Sequence, residues 1–367
     1  MLMERVVYHA WPHGRSADCS AASGLVASHN FLVAKDNDRS HVTCPMLSEV
    51  LPLRHASREL VRELGFLQGR DAATKLSHSH CHALIEIDAR GSVGQSQLPA
   101  LLRLDKSTTS RIVGELESRA WVRAKTSNAD GRARVLSLTP KGRAKLALVH
   151  REANLRVEDA LRLLGEEERT TVLRGMQTYA RALERARRRS LYAIRAIAAK
   201  DRAGVARLIR TVMPEFGASG PGFAILDPEV DDMFGGYRGK RAGYWIVTDR
   251  TSANAKSKRA EAGADRIVGG GGFAPLVGGD DETCELRKMY FLAEVRGLGI
   301  GQEVLSKCID GARRAGFTRM YLETLTNMNQ ARALYERNRF VRLDAPLGST
   351  GHFGCDVYYA RDLRAAS

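Results

Sequence analysis

Through the first half of the chain apolar residues recur at helical spacing, and beyond about residue 190 they gather into short runs between helices and glycine-rich turns. The pattern predicts helices from Ser48 to about Leu67, with Leu60, Val61 and Leu64 on one face, and from Thr74 to Ala89, with Leu84 and Ile87 following Cys81. Residues 95–117 hold two short helices parted by Arg103, Leu104 and Asp105. Alternating stretches at 121–126 and 133–139 flank a polar turn at 128–132, whose Asp130-Gly131 pair is a hairpin signal. A long helical stretch from about Lys141 to Arg189 carries Val172, Met176, Tyr179, Ala180 and Leu183 in one apolar stripe that needs a partner helix.

After the basic run at 187–189 the texture is that of an α/β or α+β domain, which places a boundary near Ser190. Strands are expected at 191–197, 242–249, 266–276, 284–293, 318–325 and 353–361, and polar loops at 254–261 and 278–282. Val205, Leu208, Ile209 and Val212 form the apolar face of an early helix in this half. Residues 1–45 show few periodic apolar positions and read as a disordered arm, or as an upstream extension of a start at Met46. The expected organisation is an arm (1–45), a helical domain (46–189) and a second domain (190–367).

Composition adds a partner class. The 367 residues carry a formal charge of +15, which favours polyanions, nucleic acid above all. Between Arg103 and Lys145 eleven Lys/Arg face four Asp/Glu, so about half the excess sits in the segment holding the paired short helices and the hairpin. Six cysteines are scattered without a C-x-x-C pair, which argues against a disulfide framework and a zinc site and fits a reducing, cytoplasmic compartment. No run is long and apolar enough to span a membrane, and the first thirty residues lack a basic-then-apolar leader pattern. The HSHCH run at 78–82 gathers three His and a Cys, but successive helical residues point in different directions, so one ion cannot collect all four. No metal is expected.

The second of the paired helices divides its faces sharply. Ile112, Val113 and Leu116 can pack inward, while Lys106, Ser107, Thr108, Thr109, Ser110 and Arg111 supply the hydroxyls and cations that reach base edges and phosphates in a major groove. Asp105 or Ser107 can cap it. Arg132 and Arg134 sit at the hairpin tip, within reach of the adjacent minor groove or backbone, with Asp130 placed to hold an arginine. The runs LDKSTTSRIVGELE (104–117), DGRAR (130–134) and LTPKGR (138–143), in this order, resemble the MarR family of winged helix-turn-helix repressors over about residues 46–188. The resemblance implies an obligate homodimer, with the first helices and the 143–188 helices entwined, that reads a pseudo-palindromic operator in double-stranded DNA. It also implies a ligand pocket that His82 could line. Ala120 stands where the family usually has Gly before the wing.

In the second half, LRKMYFLAEVRGLGIGQEVL (286–305) is an apolar strand, a glycine-rich turn and an amphipathic helix with Val304, Leu305, Cys308 and Ile309 inward. Glycines let a backbone approach phosphate, and free N–H groups with the helix dipole favour its negative charge. A further strand at 319–324 leads into NMNQARALYERNRF (327–340). Together these resemble the GNAT acetyltransferase superfamily over roughly 191–363, an α/β fold with a mixed central sheet.

The resemblance implies that the backbone of Phe291, Leu292 and Ala293 bonds the pantetheine arm of acetyl-CoA. It implies that Arg296, Gly297, Leu298, Gly299, Ile300 and Gly301 hold the pyrophosphate, that Asn329 contacts the cofactor arm and that Tyr335 places its hydroxyl near the sulfur, where a phenol can act as general acid. Glu285 is the handiest base for an amine acceptor and Glu323 the second choice. A direct attack needs no covalent enzyme intermediate, so Cys284 and Cys308 read as packing residues. Arg339 stands where the family more often has Gly before Phe340. The combined expectation is a bifunctional DNA-binding regulator and N-acetyltransferase; a repressor that only senses acetyl-CoA is the alternative.

Overall fold

The computed structural model describes residues 47–68, 75–126, 133–251 and 265–364. The expected N-terminal arm, the wing-tip residues Asp130 and Arg132, and the loop at 254–261 lie outside the described residues. The chain divides into two units between Glu158 and Asp159. Among the described residues no helix is long and apolar enough to cross a membrane.

The first unit runs α1 (Leu47–Glu63), α2 (His78–Ala89), β1 (Val93–Gly94), α3 (Leu98–Leu102), α4 (Lys106–Ser118), β2 (Val122–Thr126), β3 (Arg134–Leu138) and α5 (Pro140–Arg162), within which the division falls. Ser77 caps α2 by accepting from the His80 N–H. Arg103, left-handed at φ 57°, turns the chain out of α3, and Asp105 opens α4 by accepting from the Thr108 N–H at 2.8 Å. Leu84, Ile87, Leu98, Ile112, Leu116 and Leu136 close one core. The hairpin pairs Val122 with Leu138 and Thr126 with Arg134, and β3 sits between β2 and β1. Behind the hairpin, a Cβ added at Gly142 would stand 2.0 Å from the Trp121 carbonyl oxygen, so the start of α5 packs against the wing only as glycine.

After the last turn of α5 the second unit continues with α6 (Glu166–Arg189), so the long helix expected from 141 to 189 is broken at 163–165. Gly165 starts α6, its N–H donating to the Glu168 carboxylate at 2.8 Å, and three glutamates in the first turn favour a helix start there. The apolar stripe Val172, Met176, Tyr179, Ala180 and Leu183 is exposed along its length.

Seven strands follow: β4 (Tyr192–Ala196), β5 (Gly243–Asp249), β6 (Arg266–Pro275), β7 (Thr283–Phe291), β8 (Arg319–Thr324), β9 (Val341–Leu343) and β10 (Val357–Asp362). Their order is β4-β5-β6-β7-β8-β10-β9, and only β7 and β8 run parallel. Between them lie α7 (Arg202–Val212), the short α8 (Met233–Gly236), α9 (Ile300–Arg314) and α10 (Asn329–Arg337). The core around α7 takes in Val205, Ile209, Tyr244 and Ile246, and that around α9 takes in Val304, Leu305, Val247 and Val268, so helices cover both faces of a mixed sheet. The last strand begins at Val357 rather than 353, and the edge strand β9, three residues long, is too short to leave an alternating pattern.

Candidate functional site

On the first unit, α4 presents Lys106, Ser107, Ser110 and Arg111 to solvent, while Thr108 is half-buried and bonded by Arg111 at 3.2 Å. Thr109 departs from the expected outward set: it is 1% exposed and its hydroxyl donates to the Asp105 carbonyl at 2.9 Å, because it lies on the same face as Ile112, Val113 and Leu116. The Ser107 hydroxyl and the Thr108 N–H, both donating to Asp105, hold that carboxyl well below its usual range, so the cap stays ionised. Arg134 bonds Glu117 at 2.7 Å and Gln95 at 2.9 Å, which makes it a brace between the wing and α4 rather than a free arm. Ala120 adopts φ 56°, a left-handed conformation that costs an L-residue energy and a glycine little. Among the described residues no cluster of three or more His, Cys, Asp or Glu could hold a metal; in the 78–82 run His80 faces Glu115 at 3.1 Å and Ser77 at 2.6 Å, and His82 is exposed.

On the second unit, the expected phosphate turn is built for backbone approach. Gly297 and Gly299 have φ of 76° and 83° and open space where a Cβ would project, while Leu298 and Ile300 between and after them are buried anchors. Gly299 caps α9, whose N-terminal N–H groups follow at once. The Arg296 side chain turns back, donating to the Phe291 carbonyl at 2.8 Å and to Glu215 at 2.7 Å. It therefore braces the loop, and the Phe291 carbonyl is already engaged. The Leu292 N–H is engaged as well, by the Val268 carbonyl. Ala293 lies in a 3-10 turn directly before Arg296.

The open strand edge lies upstream of these residues. β7 and β8 pair only through Thr283–Arg319, Cys284–Met320 and Glu285–Tyr321; from Leu286 onward β7 keeps β6 on one side with no strand on the other among the described residues. A bulge sets Lys288 and Met289 against Gly271, and Lys288 takes φ 50°, its carbonyl accepting from the Tyr244 hydroxyl at 2.9 Å.

The cleft at this opening is lined by Glu285, Glu323, Tyr335 and His352 together with the apolar Met213, Phe223 and Ala224. Tyr335 comes from α10 and is 6% exposed; burial raises its pKa, so its phenol stays protonated and able to donate. Asn329, at the start of the same helix, is exposed.

Glu285 is 3% exposed and accepts from Arg287 at 2.7 Å; burial raises its pKa in spite of that partner. Glu323 accepts from Tyr321 at 2.8 Å and Thr350 at 2.9 Å, and its other oxygen is buried without a hydrogen bond, 3.5 Å from His352 Nδ1. His352 Nε2 lies 2.9 Å from Asp227; burial opposes its charge, but the carboxylates of Asp227 and Glu323 beside it outweigh that and push it up to about 9. Lys288, its side chain 1% exposed, bridges Asp227 and Glu229. Burial pushes the Cys284 thiol up to about 12 and the Cys308 thiol higher still, which leaves neither as a thiolate.

Arg287, Lys288 and His352 were not singled out in the sequence, and the acidic run 227–232 holding Asp227 and Glu229 was open to two readings, an attractor for a cationic acceptor or a plain loop. Two adjacent cations inside an otherwise apolar strand were the available signal, since a charge buried in a sheet requires partners. His352 stands in a loop and carries no such mark.

Residues 227–340 match the family model described as the acetyltransferase (GNAT) family, and residues 74–133 match the MarR family model. The chain is 36% identical over 171 residues to the uncharacterised N-acetyltransferase YjgM of Escherichia coli K12, an alignment covering 46% of this chain and 94% of YjgM. Among solved structures, a GNAT-family acetyltransferase of Staphylococcus aureus Mu50 is 20% identical, covering 47% of this chain and 99% of that one, with a TM-score of 0.38. Bordetella bronchiseptica BpsR, described in terms of regulation of its DNA binding by 6-hydroxynicotinic acid, is 20% identical over 36% of this chain and 98% of its own, with a TM-score of 0.31.

Proposed function

The chain belongs to the GNAT acetyltransferase family through its second unit and carries a MarR-type winged helix ahead of it, and on that premise we propose that it is both a DNA-binding regulator and an acetyl-CoA-dependent N-acetyltransferase. The observation that carries the enzymatic reading is the convergence of Tyr335, Glu285 and Glu323 in one cleft, at the unpaired edge of β7. The open turn around Gly297 and Gly299 and the N-terminus of α9 offer N–H groups to a pyrophosphate. The edge of β7 beyond Leu286 takes the pantetheine arm as an added strand, and Asn329 flanks that arm.

Glu285 accepts the proton of the incoming ammonium. The freed amine nitrogen bonds to the acetyl carbonyl carbon and the carbon–sulfur bond breaks; Tyr335 donates its proton to the departing thiolate, and the phenolate it becomes takes up the proton that the new amide nitrogen must shed. The raised pKa of Glu285 brings it toward that of the amine, the direction a base for this task requires.

Lys106, Ser107, Ser110 and Arg111 on α4 are the proposed contacts to the major groove, with Arg132 contacting DNA from the wing. The exposed α6 stripe is the proposed subunit contact of a homodimer, with 46–189 as its functional region and 190–367 as the catalytic one. A cytoplasmic location follows from a DNA target.

The test is release of free thiol from acetyl-CoA by the full chain against a panel of primary amines. Amine-dependent release that Tyr335→Phe lowers by at least about tenfold is expected. Acetyl-CoA binding without release for any amine would favour the sensor reading.

A further inference from the structure

Seven ionisable groups meet around the cleft, and each of their cations pairs with carboxylates of the set. Lys288 lies between Asp227 and Glu229, at 2.5 and 2.8 Å. Arg287 holds Glu285 at 2.7 Å and the Pro275 carbonyl at 3.1 Å, with Glu229 at 3.5 Å. His352 lies between Asp227 and Glu323. Each cation is therefore matched to carboxylates of this chain, and among the described residues none lining the cleft is left over for an anion brought by a substrate.

The carboxylates have one place left over. Four of them (Asp227, Glu229, Glu285 and Glu323) face three cations even with His352 protonated, and the second oxygen of Glu323, buried, faces the His352 Nδ1 at 3.5 Å, too long for a full hydrogen bond. An unsatisfied carboxylate oxygen in a desolvated site is costly to leave unpaired and binds a cationic donor strongly. An apolar wall of the cleft includes Met213, Ala218, Phe223 and Ala224.

From the charge balance and this wall we infer that the acceptor is a primary amine on an apolar carbon skeleton, with one positive charge and no carboxylate beside the amine. The inference rests on the acetyl-transfer reading and names its substrate class. The ammonium is held at the second oxygen of Glu323 while Glu285 takes its proton, and the skeleton lies against Phe223 and Met213. A free α-amino acid fits poorly, because its carboxylate would be carried into a site whose every cation is taken and whose net charge is negative.

The experiment compares initial rates of thiol release by the full chain with acetyl-CoA and matched acceptors that differ only in the carboxylate: phenethylamine with phenylalanine, and isoamylamine with leucine. The amine is expected to exceed its amino acid in kcat/KM by at least about 100-fold, the order expected when a buried charge is left unpaired. Equal or better turnover of the amino acids would overturn the inference and leave acetyl transfer standing. No release with either member of a pair, in protein that binds acetyl-CoA, would remove the acetyl-transfer reading and the inference with it.

Asp227→Asn gives a second readout that loss of folding cannot imitate. Lys288 and His352 lose a shared carboxylate, so the ratio of amine to amino acid should fall by about tenfold or more while turnover of phenethylamine remains measurable. An unchanged ratio in that folded variant would show that the ion cluster does not set acceptor choice.

Discussion

Of the five non-glycine residues with positive φ among the described residues, three mark where the chain departs from what its neighbourhood favours. Ala120 and Arg339 stand where the resembled families usually carry glycine, and the backbone has kept the left-handed geometry in both places, at φ 56° and 63°. The sequence revealed the two departures but not whether the turn would change or the residue would bear the cost; the side chain bears it. Ala120→Gly should therefore raise the stability of the first unit by about 1 kcal/mol, read as a higher Tm, and a lower Tm would show that the turn is not strained. Lys288 is the third, at φ 50° in a bulge, and its buried ion pairs give a reason for the strain to persist.

His352 supplies a pH signature at the same scale. Its folded pKa, about 9, lies above the ordinary 6.5, so its ion pairs contribute fully below pH 6.5 and fade as pH rises toward 9. The contribution is on the order of 2 kcal/mol after allowing for partial solvent access. Thermal unfolding of the intact protein should show the second unit losing stability between pH 6.5 and 9, and His352→Gln should flatten that slope. A slope unchanged in the variant would assign the loss to other groups.

Among the elements, the sequence was most legible where a period of two or 3.6 ran long enough to be seen. β4 to β8 and α4 fall within a residue or two of their expected places, the inward set on α7 includes the expected Val205, Leu208, Ile209 and Val212, and that on α4 adds Thr109 to the expected Ile112, Val113 and Leu116. The break between α5 and α6 was missed because apolar periodicity continues across it, and the edge strand β9 because three residues carry no period. The cleft was half legible: Tyr335 and Glu285 stand in recognisable motifs, while His352 reaches Asp227 only through the fold.

The end of α6 also touches the flanks of the phosphate turn. Arg189 forms a bidentate pair with Glu303 in the first turn of α9, and Arg188 donates to the Glu294 carbonyl at 3.0 Å. Arg189 thus neutralises a carboxylate close to where a pyrophosphate is proposed to bind. Arg189→Ala should weaken acetyl-CoA binding by about three- to tenfold at low ionic strength and less at high salt, as measured by calorimetry. An affinity unaffected at any salt would separate that pair from the cofactor site.

For the molecule as a whole, the account joins two activities that should fail separately. Arg132→Ala should weaken operator binding and reduce the slope of log affinity against log salt by about one, while acetyl-CoA affinity stays unchanged. An undiminished operator affinity would remove the wing from the DNA contact. The exposed α6 stripe and the charge of +15 belong to this scale too. Both are what the proposed dimer on DNA requires.

The most direct test is calorimetric titration of the intact protein with acetyl-CoA, followed by thiol release on adding phenethylamine. The account predicts one saturable site per chain, amine-dependent thiol release, and loss of both in Gly299→Trp, which fills the open space at the start of α9. Binding and turnover that survive in that variant would contradict the placement of the site, and no heat with the unaltered protein would contradict the enzyme itself.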